Sequence, residues 1–268
     1  MEISLVVPAA KCQSFLETSL LKMIEFLKAN FRESFEILVI PNGHYRSEVQ
    51  AITLIGTRVA EAHPEVRILP YFGKPGKGAA IRKGVGVAQG RWIFFTDADL
   101  PYDLSFIKEG IPLLEQGHGL VTGSRRLKKS RINISFEDLR FVFTRSRLGL
   151  VFNCFVRILF PISSLDTQAG IKGMSRDFAL KAFSCLKCPT FYFDIELILV
   201  AREHQFVKAQ LPLLLGVENK DSTISVFKEF FCSIFWLLRI KIAYLFGSYS
   251  PKPVGKWEPS VGLVRSTL

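Results

Sequence analysis

The sequence predicts an α/β protein: a mostly parallel sheet with helices on both faces, extended by a C-terminal amphipathic helix. Three observations predict it. Strand-like and helix-like patterns alternate from residue 2 to about residue 125, the mark of a doubly wound sheet. The strand patterns are continuous apolar runs, such as Ile93-Phe94-Phe95, as expected where both sheet faces are covered. That run leads into Thr96-Asp97-Ala98-Asp99, two carboxylates one residue apart at the carboxyl end of a strand, where the ligands of open α/β sheets sit.

Residues 2–7 read as the first strand, ended by Pro8. Ser14 is the candidate cap of a helix to about residue 30, with Phe15, Leu16, Leu20, Met23, Ile24 and Leu27 on one stripe. Residues 36–40 form a second strand, closed by the turn Pro41-Asn42-Gly43. A helix over about 46–62 and a short strand over 66–69 follow. Gly73-Lys74-Pro75-Gly76-Lys77-Gly78 is a glycine-rich basic loop entering a helix over 79–88. Its glycines allow close backbone approach, and the helix N-terminus with Lys74 and Lys77 favours an anion. It fits neither the Walker A nor the GxGxxG pattern. Two hard oxygen donors at Asp97 and Asp99 suit Mg²⁺ or Mn²⁺; Asp99 or Asp103 can instead cap the next helix, over about 103–115. A strand over 119–122 then ends in Gly123-Ser124-Arg125.

Beyond Ser124 the pattern changes. Residues 126–135 are a polar, basic loop, and 138–160 read as one long, apolar, arginine-bearing helix stopped by Pro161. A loop over 165–173 leads into a short strand. Ser175 caps a helix to about 183, and 193–203 form another. Residues 206–215 are strand-like and carry Pro212, which places them at a sheet edge. Ser222 or Thr223 caps a last helix that is apolar on one side and bordered by Lys228, Arg239 and Lys241, the profile of an interfacial helix. The expected organisation is a catalytic domain over 1–220, an amphipathic membrane-associating helix over 221–247, and a flexible tail over 248–268.

The 268 residues carry a formal charge of +11, which favours anionic partners. Between Leu120 and Phe160, nine arginines and lysines face only Glu137 and Asp138. Aromatic residues lie in apolar runs rather than among the basic ones, so no nucleic-acid partner is expected. Five cysteines form no framework and fit a reducing compartment; Cys185 and Cys188 read as ordinary semi-buried cysteines. The N-terminal apolar run has a strand's length, not a signal peptide's. The most apolar stretch, 230–246, is interrupted by Arg239 and Lys241 and is not expected to span a membrane.

Six stretches together resemble the inverting family 2 glycosyltransferases of GT-A fold, a Rossmann-like architecture, and most closely their dolichyl- or polyprenyl-phosphate hexose synthase branch. They are Ser4-Leu5-Val6-Val7-Pro8-Ala9, Gly76-Lys77-Gly78-Ala79-Ala80-Ile81-Arg82-Lys83-Gly84, Thr96-Asp97-Ala98-Asp99-Leu100, Gly123-Ser124-Arg125, Asp166-Thr167-Gln168-Ala169-Gly170-Ile171-Lys172 and Phe193-Asp194-Ile195-Glu196-Leu197. The resemblance implies transfer of glucose or mannose from UDP-glucose or GDP-mannose to a polyprenyl phosphate, with Mg²⁺ or Mn²⁺ at Asp97 and Asp99. It implies a catalytic role for Asp166 and Asp99. Donor contacts are implied at Pro8, Ala9, Asn42, Lys77, Gly78, Asp97 and Ala98. Arg125, Arg145 and Arg147 are candidates for the acceptor phosphate, because guanidinium pairs with phosphate bidentately. Gln168, Asp194 and Glu196 would support the site. Two departures stand out: Ala9-Ala10-Lys11-Cys12-Gln13 lacks the family's acidic residue after the first strand, and Pro41-Asn42-Gly43-His44 replaces its paired aspartates. The expected setting is the cytoplasmic face of a membrane, peripherally bound. Alternatives are a family 2 transferase with a soluble or polysaccharide acceptor, and a non-catalytic nucleotide-sugar- or nucleic-acid-binding protein.

Overall fold

The structure, a computed structural model, describes residues 1–132, 139–215 and 226–250. Its main sheet has seven strands: β1 (Ile3–Ala9), β2 (Phe35–Pro41), β3 (Val66–Ile68), β4 (Trp92–Phe95), β5 (Leu120–Ser124), β7 (Lys172–Ser175) and β8 (Lys208–Pro212), in the order β3-β2-β1-β4-β7-β5-β8. β6 (Arg131–Ile132) pairs in parallel with β9 (Leu214–Leu215) in a separate two-stranded sheet. The helices are α1 (Leu16–Asn30), α2 (Arg46–Ala62), α3 (Lys77–Val87), α4 (Ser105–Glu115), α5 (Leu139–Leu159), α6 (Arg176–Cys185), α7 (Phe193–Glu203) and α8 (Val226–Leu245).

The continuous apolar runs split by alternation into two cores, because successive strand side chains point to opposite faces. Val6, Ile93 and Phe95 face a core shared with α3, α6, α7, the end of α5 and α8. Leu5, Val7, Trp92 and Phe94 face the other, shared with α1, α2 and α4. Pro8 lies inside β1 rather than ending it. It is tolerated there because β4 pairs with β1 only from Ile3 to Val6, so the missing N–H breaks no bond on that side.

Local signals set several ends. Ser175 caps α6 as expected, accepting from Phe178 N at 3.3 Å. Before α4, Asp103 Oδ1 accepts from Ser105 N at 2.7 Å, while Leu104, directly ahead of the helix, provides no side-chain cap. Ser14 does not cap α1, which begins after Phe15 without a side-chain cap. The Pro212 strand, β8, is at the sheet edge as its proline requires. Ser222 and Thr223 lie outside the described residues.

The consequential feature is β7. It runs antiparallel between β4 and β5, with Lys172 in register with Phe95 on one side and Thr122 on the other. A strand that runs against its neighbours begins where they end. The residues just before β7 are therefore delivered to the carboxyl ends of β4 and β5.

Among the described residues, no helix is long and apolar enough to cross a membrane. α5 exposes Leu150, Val151, Phe155 and Ile158; α8 and the residue after it expose Ile234, Phe235, Leu238, Ile242, Leu245 and Phe246. The two helices are tied where Lys241 Nζ donates to Leu159 O at 2.6 Å. The expected flexible tail does not begin at residue 248: Tyr249 is buried in the core.

Candidate active site

The site forms at the carboxyl ends of β1, β4 and β5. Past β4, Leu100 adopts a left-handed backbone at φ 49, with its N–H donating to Asp97 O at 3.2 Å. That conformation costs a bulky L-residue about 1–3 kcal/mol, and such strain collects where a turn must aim functional groups. Asp97 Oδ1 receives Lys77 Nζ, from the first turn of α3, at 2.5 Å. Burial pulls the Lys77 ammonium down, but the Asp97 carboxylate, and Asp194 behind it, outweigh this and hold it above its usual range.

The loop before β7 is fixed residue by residue. Asp166 is fully buried and accepts Arg125 Nε at 2.7 Å and Arg125 Nη2 at 2.9 Å, a two-pronged ion pair. It also takes the amides of Arg125 and Gln168 at 3.1 and 3.2 Å. Burial would raise its pKa, but the Arg125 bonds and charge outweigh this and hold the carboxyl below the usual range. Asn153 of α5 accepts both Thr167 N at 3.1 Å and Thr167 Oγ1 at 2.8 Å. Lys172 Nζ donates to Ala169 O at 2.7 Å. At Gly170 the backbone passes so close to the aspartate motif that a Cβ would stand 2.1 Å from Asp97 Oδ2 and 3.2 Å from Lys77 Nζ.

Behind the loop, Lys172 and Asp194 of α7 form a buried ion pair at 2.7 Å, 0% and 2% exposed. Desolvation depresses the lysine and raises the aspartate. The Phe95 ring lies beneath both ammonium groups, 6.0 Å from Lys77 Nζ and 5.6 Å from Lys172 Nζ.

The remaining expected residues divide. Pro8 and Ala9 are buried at the end of β1, and Ala98 is buried between the two aspartates. Asn42 is 4% exposed and gives its amide nitrogen to Ala9 O at 3.3 Å and Ile40 O at 3.2 Å, so its NH₂ staples two strand ends. Gly78 lies against Cys188 O and Thr190 O. Gln168 is half-buried beside Asp166. Glu196 faces away from the aspartates and accepts the Lys187 and Cys188 amides and the Tyr249 hydroxyl. The side chains of Arg145 and Arg147 lie outside the described residues. Cys185 and Cys188 are free thiols, and burial pushes Cys188 up to about 11.

Three residues emerge only from the structure. Tyr102, 5% exposed, lies within the electrostatic reach of Arg125, Asp97 and Asp166; burial raises its phenol. Asn153 holds Thr167 from fourteen residues away. Glu48, in the first turn of α2, accepts Lys11 N at 2.9 Å and fills the space over Gly43. It brings a carboxylate to the two segments that lack their acidic residues. Only its place in a helical first turn marked it in sequence.

Among the described residues, no three His, Cys, Asp or Glu side chains group to hold a metal ion by themselves. Two carboxylates at a strand end are nevertheless the donor set that suits Mg²⁺ or Mn²⁺ held jointly with substrate phosphates.

The glycosyl transferase family 2 model matches residues 4–178, which includes both the aspartate motif and the Asp166 loop. The chain belongs to this family. The dolichyl-phosphate beta-glucosyltransferase of Dictyostelium discoideum is 26% identical over 258 residues, covering 93% of this chain and 77% of the relative. Among solved structures, glucosyl-3-phosphoglycerate synthase of Mycobacterium tuberculosis, in complex with Mn²⁺ and UDP-glucose, superposes at a TM-score of 0.58 with 18% identity, over 94% of this chain and 80% of that one. The mannosyltransferase PcManGT of Pyrobaculum calidifontis, in complex with GDP-mannose and Mn²⁺, gives 0.54 with 14% identity, over 91% and 64%. These two likenesses establish the GT-A-like fold of this family 2 chain.

Proposed function

We propose that this family 2 glycosyltransferase moves a hexosyl group, glucose or mannose, from UDP-glucose or GDP-mannose to a dolichyl-type polyprenyl phosphate with inversion. One observation carries the reading: β7 brings the Arg125–Asp166 pair and the Gly170 backbone against Asp97 and Lys77. A guanidinium shaped for phosphate thus stands beside a cationic, carboxylate-bearing site suited to a diphosphate. The name of the Dictyostelium relative supports the acceptor class.

In this reading Lys77 and the α3 N-terminus bind the donor diphosphate, and the positive end of the helix adds to the lysine's charge. Asp97 and Asp99 would hold Mg²⁺ or Mn²⁺, which would supply Lewis-acid stabilisation of the departing diphosphate. An acceptor phosphate oxygen bonds to the anomeric carbon from the face opposite the diphosphate, whose oxygen leaves with the bonding pair. A phosphate monoester, with its second pKa near about 6, is already largely dianionic at neutral pH and needs no strong base. Asp166 therefore does not take a proton. Charged, fully buried and engaged by Arg125, it is a positioning residue that holds the Arg125 guanidinium at the acceptor phosphate.

The exposed apolar faces of α5 and α8, with Arg157 and Arg239 also exposed, suit docking on an anionic membrane surface. The five free cysteines suit its cytoplasmic side.

Transfer of labelled sugar from UDP-glucose or GDP-mannose to dolichyl phosphate, read by partition into organic solvent, tests the reading. Asp97→Asn and Asp99→Asn should each reduce it by about 10²-fold or more, the scale of losing one electrostatic stabiliser. Label that remains in water-soluble products with every polyprenyl phosphate offered would refute the acceptor.

A further inference from the structure

We propose that Tyr249, four residues beyond α8, is a positioning residue for the 76–78 loop, and through it for the donor diphosphate; the second clause rests on the function proposed above. Tyr249 is 1% exposed. Its hydroxyl donates to Glu196 Oε1 at 2.6 Å. Glu196, itself 1% exposed, accepts the Lys187 amide at 3.2 and 3.1 Å and the Cys188 amide at 2.8 Å. Burial raises the carboxyl of Glu196 against the pull of its donors, first among them the Tyr249 hydroxyl. Removing that donor loosens the grip on both amides, because a buried polar network fails as a unit.

The segment held by Glu196 in turn carries α3. Pro189 O accepts Ala79 N at 3.0 Å, and the Arg82 guanidinium donates to Leu186 O. At Gly76, with φ 155, a Cβ would stand 2.3 Å from Pro189 O; at Gly78 it would stand 2.7 Å from Cys188 O and 2.8 Å from Thr190 O. Only glycine allows the loop to rest on that backbone. Lys77 sits between these two glycines, and its ammonium is the group on Asp97. The path from Tyr249 to the diphosphate loop therefore runs through the buried Glu196 carboxylate to the 187–190 backbone, on which the two glycines rest directly. It begins next to the exposed apolar end of α8, so the membrane face and the donor loop share one support. Lys187 Nζ, donating to Ser248 Oγ at 3.3 Å, reinforces it.

Tyr249→Phe keeps the ring and removes the hydroxyl. In the full chain, amide hydrogen exchange at residues 187–188 and 79–80 should quicken about tenfold while β1 and β2 stay unchanged. The KM for the nucleotide sugar should rise about threefold to tenfold, the order of a lost hydrogen bond to a charged group acting at one remove. kcat and the acceptor KM should stay within twofold. Glu196→Gln, which replaces one accepting oxygen with an NH₂ that cannot take a backbone amide, should give the same pattern in larger measure. Unchanged exchange at those amides overturns the proposal. So does a uniform rise across the sheet with KM unmoved, which marks a packing residue. If the wild-type chain transfers no hexose, the functional reading fails, and the exchange pattern alone decides the tie.

Discussion

Replacing Gly170 by alanine tests whether the loop before β7 and the aspartate motif form one site. Gly170 is not among the residues with left-handed φ, so alanine brings no backbone strain and the effect is one of contact. Its Cβ would lie 2.1 Å from Asp97 Oδ2, against 3.4 Å or more for ordinary contact, so something must give by about 1.3 Å. The Asp97 side chain is 31% exposed and can swing toward solvent, whereas Gly170 is fixed between Ala169, held by Lys172, and β7. The fold should therefore lose little, about 1 kcal/mol or a melting shift of about 2–4 °C. Transfer should lose about 10²-fold, or ~2.7 kcal/mol of barrier, because a displacement near 1 Å has that cost at a reacting centre. Labelled-sugar transfer and a thermal melt on the same preparation separate the two quantities. Transfer within threefold of wild type would show that Asp97 need not stand where the structure puts it.

Three further outcomes follow from the charges and faces of the molecule. Arg125→Met strands Asp166 as a buried charge and should cost about 3–5 kcal/mol in urea unfolding at pH 7. Because the folded Asp166 pKa is lowered, the pair's contribution is full above the unfolded value of about 3.9 and lost as pH falls through the folded value; the wild-type advantage should shrink below about pH 4. Lys172→Met should be similarly destabilising, and Lys172→Met with Asp194→Asn should recover part of the loss, so a double-mutant cycle should return a coupling of about 1–3 kcal/mol. Leu238→Glu with Ile242→Glu should reduce flotation with anionic vesicles at least about tenfold while leaving the melting temperature within about 2 °C, since both side chains are exposed; unchanged flotation would remove α8 from the membrane contact.

The sequence by itself determined much of this protein. Period and length marked the alternation of strands and helices, and the unbroken apolar runs of β1, β2 and β4 announced a sheet covered on both faces. Asp97 and Asp99 declared themselves because a carboxylate pair at a strand end is a local pattern. What the chain could not reveal locally was pairing. That Lys172 registers with both Phe95 and Thr122 is a relation between segments some fifty to eighty residues apart, and it decides that Asp166 meets Arg125 and that Gly170 meets Asp97. The same holds for Asn42, whose NH₂ is given to two carbonyls, and for Glu196, whose carboxylate holds two backbone amides and the Tyr249 hydroxyl. A polar side chain in sequence shows what it can bond, and only the folded chain, by choosing which groups lose their water together, settles what it does bond.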